Sequence, residues 1–224
     1  MSALGRKGGG YLSRTTFQLG NWAGKFGKEY TDRNAVSLKG LDKLYMENYG
    51  ITRTELNKDF LGKIPRSARI LEVGSNIGTQ LLCLQKMGFK NLYGIEPQDY
   101  ACELAKKRCK GINIMKSDAF YIPFKDGYFD LVFTSGVLIH INPKDAPRAL
   151  REIHRCSNKY IWGFEYYSEE YKEVLYRGKK NMLWKANFPK MYLDIFRDLR
   201  LLKEKYIKYL DNENIDVMFL LAKE

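Results

Sequence analysis

The sequence predicts an α/β fold built on a mostly parallel sheet, and three observations carry that expectation. From residue 68 onward, short runs rich in β-branched and aromatic residues alternate with helical patterns, as strands joined by helical crossovers do. A turn with two glycines, in "LEVGSNIGTQ", joins the first run to the first helical stretch. The last two runs, "EKYIKYL" and "IDVMFLLAKE", flank the polar turn "DNEN", and so short a connection makes an antiparallel hairpin.

Each element follows from local chemistry. "ARILEV" reads as the first strand, and "GTQLLCLQKMG" as a helix with leucines at Leu81, Leu82 and Leu84 that ends at Gly88. "NLYGIEP" is a second strand stopped by Pro97. "DYACELAKKRCKG" begins at an Asp, carries a basic C-terminal half and closes on Gly111, as capping and the helix dipole prefer. "INIMKSD" and "FDLVFTSG" are the third and fourth strands, "PKDAPRALREIHRCS" the next helix and "KYIWGFEYY" the fifth strand. From Ser168 to about Leu199 the pattern reads as mostly helical.

Ahead of the sheet the chain differs. The first 20 residues hold five glycines among scattered basic residues, the composition of a flexible arm. "NWAGKFGKEYTDRNA" and "LKGLDKLYMENYG" read as helices, since Trp22, Phe26 and Tyr30 recur four apart on one face. Residues 21–66 therefore read as a helical cap that either packs on the sheet or forms a lid over it. Residues 67–224 read as the core, with an insertion at about 167–200.

Composition sets the outer limits. At 224 residues and 45% hydrophobic content, the chain is long enough for one sizeable core. No apolar run is long enough to span a membrane and the start lacks an export signal, so a soluble, cytoplasmic protein is expected. Cys83, Cys102, Cys109 and Cys156 are widely spaced with no C-x-x-C pair, which predicts buried free thiols and no metal site. The net charge of +12 invites a nucleic-acid reading, but its excess is spread. Residues 1–66 hold 12 basic and 6 acidic side chains, with no long basic block. A polynucleotide partner is not favoured.

The glycine turn excludes one cofactor class. A dinucleotide turn would run G-x-G-x-x-G, whereas from Gly74 the second position is Asn76 and the third Thr79. What stands instead is Glu72, Gly74 and Gly78 in the form E-x-G-x-x-x-G. Two further acids, Glu96 and Asp118, end the second and third strands. Three acids at the carboxyl ends of successive parallel strands share the rim where such sheets bind ligands.

With the five-strand pattern and the closing hairpin, these motifs resemble class I methyltransferases, whose Rossmann-like sheet has seven strands and whose cofactor is S-adenosylmethionine. The resemblance spans roughly residues 68–224. It implies that Gly74 admits the cofactor near the backbone, with Glu72 at its cationic end and Ser75, Asn76 and Gly78 beside it. Glu96, followed by Pro97, would take the ribose hydroxyls, and Asp118 the adenine amino group, flanked by Ala119 and Phe120. Ser135, Gly136 and Val137 would lie beneath the sulfonium. Trp22, Tyr30 and Arg33 on the cap would cover the site, with Arg33 clamping the cofactor carboxylate.

His140 is the histidine best placed to act as a base, and its other reading is a helix cap or pocket wall. "WAGKFGKEYTDRN" and "YRGKKNMLWKANF" also resemble methylases associated with pseudaminic acid biosynthesis. That implies a small anionic or carbohydrate-like acceptor, methylated at oxygen or nitrogen. Arg177 and Lys185 interleaved with Tyr176 and Trp184, and Glu165 and Tyr166 at the end of the fifth strand, are the candidate acceptor contacts. The alternatives are an RNA or protein methyltransferase, and a non-catalytic binding protein on the same fold. Cofactor binding separates the last from the others.

Overall fold

The computed structural model describes residues 15–224. Seven strands form one sheet in the order β3-β2-β1-β4-β5-β9-β8. They are β1 (Arg69–Val73), β2 (Asn91–Glu96), β3 (Asn113–Lys116), β4 (Phe129–Ser135), β5 (Ser157–Tyr166), β8 (Leu199–Lys208) and β9 (Ile215–Lys223). The first five run parallel, and β9 is antiparallel to both β5 and β8. This is the seven-stranded sheet with an antiparallel hairpin that the sequence implied. Strand order reverses between β1 and β4, which opens the crevice where open α/β sheets hold ligands.

Helices cover both faces. On one, α4 (Arg53–Leu61) and α5 (Thr79–Lys86) bury Leu56, Leu61, Leu81 and Leu84 against Phe133, Trp162 and Met218. On the other, α7 (Ala146–Cys156) and α8 (Phe188–Ile195) bury Leu150, Ile153 and Phe188 against Val132, Ile161 and Phe219. The remaining crossover helix, α6 (Asp99–Arg108), opens with Asp99 and closes with Lys106, Lys107 and Arg108, matching the helix dipole.

Three expectations change. The arm was expected over residues 1–20; its first part lies outside the described residues, but Phe17 to Gly20 already belong to α1 (Phe17–Ala23), capped by Thr16. The first cap helix is broken in two, because Gly24 takes an extended conformation between α1 and α2 (Lys25–Arg33). After α3 (Leu38–Tyr49), α4 adds a helix that the sequence reading did not separate, started by a capping box of Thr52 and Glu55.

The stretch after β5 is mostly not helical. It forms a small hairpin of β6 (Lys172–Glu173) and β7 (Trp184–Lys185), and only α8 is helical. Tyr176 and Lys179 exchange backbone hydrogen bonds at 3.0 and 2.9 Å across Arg177 and Gly178, both at positive φ. Two such residues make the tight turn that hairpins favour.

Candidate active site

The turn after β1 is fully committed within the protein. The Gly74 and Ser75 amides donate to the Ile95 carbonyl, the Asn76 amide to Glu96 Oε2, the Ile77 amide to Asn76 Oδ1 and the Gly78 amide to the Ser75 carbonyl. A phosphate cradle needs free amides, and this turn offers none from Gly74 to Gly78. Gly74 has φ +73°, and a Cβ there would lie 2.6 Å from Val137 Cγ2, so the β1 turn and the β4 loop meet in backbone-close contact. Gly78 also has positive φ and caps α5, but it faces Cys109 and lies outside the cavity wall; its role is the turn itself.

Over this rim lies a cavity of about 480 Å³, within the range of small-molecule sites. Glu72, Gly74, Ser75, Asn76, Glu96, Pro97, Asp118, Ala119, Phe120, Ser135, Gly136 and Val137 line it from the sheet side. Trp22, Tyr30 and His140 line it from above, with Glu165, Tyr166 and Tyr176 at the far side.

Backbone amides of the rim hold Glu96, Asp118 and Glu165 in place. Glu96 accepts from the Asn76 and Gln98 amides, both at 2.9 Å, and burial pushes its carboxyl up to about 7. Asp118 Oδ1 accepts from the Phe120 amide at 2.7 Å. Glu72 is buried, which lifts it well above the ordinary carboxylate range, with nearby Arg53 pulling it back and Glu96 adding to the rise. Glu165 reaches back to the β4 loop, accepting from the Val137 amide at 3.2 Å and the Ile139 amide at 3.4 Å. Its carboxylate therefore fixes the loop beneath the cavity, while burial raises it to about 7.

The cap closes on this rim. Gln98 Nε2 donates to the Ala23 and Gly24 carbonyls at 2.9 and 2.7 Å, and Asn76 Nδ2 to Thr31 Oγ1 at 2.9 Å. Trp22 packs on Tyr30 and on His140, with ring centres 5.1 and 4.4 Å apart. His140 Nδ1 lies 2.7 Å from the Met182 carbonyl. A carbonyl only accepts, so Nδ1 carries the proton and Nε2 keeps its lone pair. Burial lowers the ring to about 4, so His140 is neutral near pH 7.

Four of the expected contacts lie elsewhere. Arg33 is exposed in the last turn of α2, where a cation suits the helix dipole, while Thr31 is the residue turned inward. Arg177 occupies the hairpin turn and is exposed. Trp184 is buried in β7, and Lys185 lies over the Tyr166 ring with its ammonium on the Asn214 side chain. None of the four lines the cavity.

The structure supplies residues that the sequence reading missed. Arg53 is only 1% exposed, lines the cavity and has no carboxylate in hydrogen-bond contact. It donates from Nη1 to Tyr45 Oη at 2.7 Å and from Nε to Asn57 Oδ1 at 3.1 Å, and it lies over the Phe164 ring. Its signal was an arginine directly after a capping threonine on an otherwise buried helix face. Tyr45, Tyr49, Tyr209 and Asp216 line the same end; Asp216 is the acid second in an otherwise apolar strand.

Residues 71–159 match the family model described as "Methyltransferase domain". This stretch is similar to methyltransferase domains. It carries the glycine turn and the acids Glu72, Glu96 and Asp118, and the cofactor of methyltransferase domains of this kind is S-adenosylmethionine. No curated protein matches the sequence. Among solved structures, an S-adenosylmethionine-dependent methyltransferase from Leishmania major is 19% identical with a TM-score of 0.68, over 92% of this chain and 87% of that one. A Burkholderia thailandensis 1,6-didemethyltoxoflavin-N1-methyltransferase, with S-adenosylhomocysteine bound, is 12% identical with a TM-score of 0.63, over 88% of each chain. The cyclase SpnF is 14% identical with a TM-score of 0.62, over 84% of this chain and 83% of that one. Identities this low establish a shared fold, and the cyclase shows that the fold serves more than one chemistry.

The donor set around the cavity fits S-adenosylmethionine. Among the described residues, Trp22 Nε1, Glu72 Oε2 and Ser75 Oγ are buried without a partner, and all three residues border the cavity, Trp22 with a donor and Glu72 with an acceptor to spare. Arg53 and Glu72 together match an amino-acid group that carries both charges. Among the described residues, no group of His, Cys, Asp and Glu side chains is arranged to hold a metal ion, and no helix is long and apolar enough to cross a membrane.

Proposed function

We propose that the protein transfers the methyl group of S-adenosylmethionine to a small carbohydrate-like or anionic acceptor, at oxygen or nitrogen. One observation carries the reading: the cofactor rim and a second end, walled by Tyr45, Tyr49, Tyr166 and Tyr209, belong to one cavity under the cap. Rings pack against the apolar faces of a sugar, and tyrosine hydroxyls answer its polar edges. The basic side chains Arg177, Lys179 and Lys180, which a polynucleotide would use, are exposed outside the cavity.

The segments that carry the narrower resemblance support a shared role, because they pack together. Tyr176 packs edgewise on Phe26 with ring centres 6.0 Å apart, and the Lys179 ammonium lies over the same Phe26 ring. In this reading Glu96 holds the ribose hydroxyls, Asp118 and Phe120 hold the adenine, and Glu72 and Arg53 hold the amino-acid end. When bound, the cofactor supplies a methyl group already activated by its sulfonium. The protein's part is to align the acceptor in a dry site, and Trp22, Tyr30 and Tyr176 exclude water above it. His140 takes the acceptor's proton at Nε2.

The test is a radiolabelled methyl-transfer assay on fractionated extract. Label in the small-molecule fraction supports the reading; label confined to RNase-sensitive or protein material overturns it.

A further inference from the structure

One charged group of the cavity has no place in the cofactor rim. Asp216, 2% exposed and second in β9 beside Tyr166 of β5, lines the far end. The Tyr49 hydroxyl donates to Asp216 Oδ2 at 2.6 Å and lies 2.8 Å from the Tyr209 hydroxyl. Each hydroxyl has one proton, so Tyr49 spends its own on the carboxylate and Tyr209 donates to Tyr49. The Tyr45 ring packs at a tilt on Tyr49 with centres 5.1 Å apart, and Tyr166 on Tyr209 at 5.9 Å, setting aromatic wall around the acid.

Among the described residues, no cation forms an ion pair with Asp216. Arg53 donates to Tyr45 and Asn57 and is assigned above to the cofactor's carboxylate, and Lys185 donates to Asn214. Burial pushes the Asp216 carboxyl up to about 6, with Tyr49, Tyr209, Arg53 and Lys185 opposing the rise. Strand order places β9 two strands beyond β4. At about 4.8 Å per strand, Asp216 stands roughly 10 Å across the rim from the Ser135 to Val137 loop. That is the span of one small acceptor.

We propose that Asp216, with Tyr49, Tyr166 and Tyr209, is the acceptor subsite and that it binds a protonated amine on the acceptor. This rests on the methyl-transfer reading above and names the acceptor's chemistry. A buried carboxylate among rings gains most from a donor that carries charge, and ring faces add to that attraction. A carboxylate or phosphate at the same point would face Asp216 directly. A neutral hydroxyl gains less, because only one partner is charged.

The full chain, saturated with S-adenosylhomocysteine, is titrated with glucosamine, glucose and glucuronate by ligand-observed NMR. These probes present an ammonium, hydroxyls alone and a carboxylate on one ring scaffold. Glucosamine is expected to bind at least about tenfold tighter than glucose, and glucuronate not to compete. In Asp216→Asn that advantage disappears while S-adenosylhomocysteine affinity is kept. Equal binding of glucosamine and glucose, a preference for glucuronate, or binding by none of the three overturns the amine subsite. Failure of S-adenosylhomocysteine itself to bind folded protein overturns the methyltransferase reading instead.

Discussion

The Asn76 amide donates to Glu96 Oε2 at 2.9 Å, tying the turn after β1 to the acid that ends β2. With the Gln98 amide on the other oxygen, the carboxylate is oriented before any ligand arrives. Glu96→Ala is therefore expected to weaken S-adenosylhomocysteine binding by about tenfold or more, since hydrogen bonds to a charged acceptor contribute roughly 1.5–3 kcal/mol. Glu96→Gln should lose less. Calorimetry decides it, and an unchanged affinity for Glu96→Ala would remove Glu96 from the site.

The same acids set a pH dependence. Burial raises Glu96 and Glu165 to about 7 and Asp216 to about 6, and Glu72 shifts in the same direction. Between an ordinary value near 4.5 and about 7, the folded protein keeps protons that the unfolded chain has released. Stability then falls as pH rises through that window, by on the order of 1 kcal/mol per pH unit for each fully titrating group. His140 and His154 are shifted down and act in the opposite sense, but they are two against four. The ligand-free protein should melt at a lower temperature at pH 7.5 than at pH 5.5, and Glu165→Gln should reduce the difference. A melting temperature that rises over this range would contradict the assigned burial.

The sheet and its rim were legible because strand chemistry is local. A run of apolar residues ended by Glu72, Glu96 or Asp118 states both the strand and the place of its acid. The other end of the cavity was not legible, because it is assembled by packing between distant elements. Tyr49 and Asp216 are 167 positions apart and meet only once β9 lies beside β5. Arg33 and Arg53 show the same limit: both stand at ends of cap helices, and only the packing of α4 on the sheet decides which one is buried. The stretch from Ser168 to Leu199 was misread because Arg177 and Asn181 adopt positive φ, which a polar, Gly-poor sequence does not announce.

Arg53 yields a prediction that separates the two ends of the cofactor. If it holds the carboxylate beside Glu72, Arg53→Gln should cut S-adenosylhomocysteine affinity about tenfold or more. Affinity for 5′-methylthioadenosine, which lacks the amino-acid group, should stay within about twofold. Arg53→Lys should fall between, because an ammonium keeps the charge and loses the planar fork. An equal loss for both ligands would show that Arg53 supports the fold and not the carboxylate.

His140 is neutral at working pH and fixed in one tautomer by the Met182 carbonyl, so its chemistry can be read from rates. As a base at Nε2 it is already deprotonated above about pH 5, because burial lowers it to about 4. The pH profile of kcat should then show no inflection from His140 between pH 6 and 8. His140→Ala should lower kcat by roughly 10²-fold or more while S-adenosylhomocysteine affinity holds. His140→Asn, which can still donate to Met182 but offers no comparable base, should fall equally far. A full rate in His140→Asn would make the ring a wall that Trp22 and Tyr176 pack against, and leave proton removal to solvent.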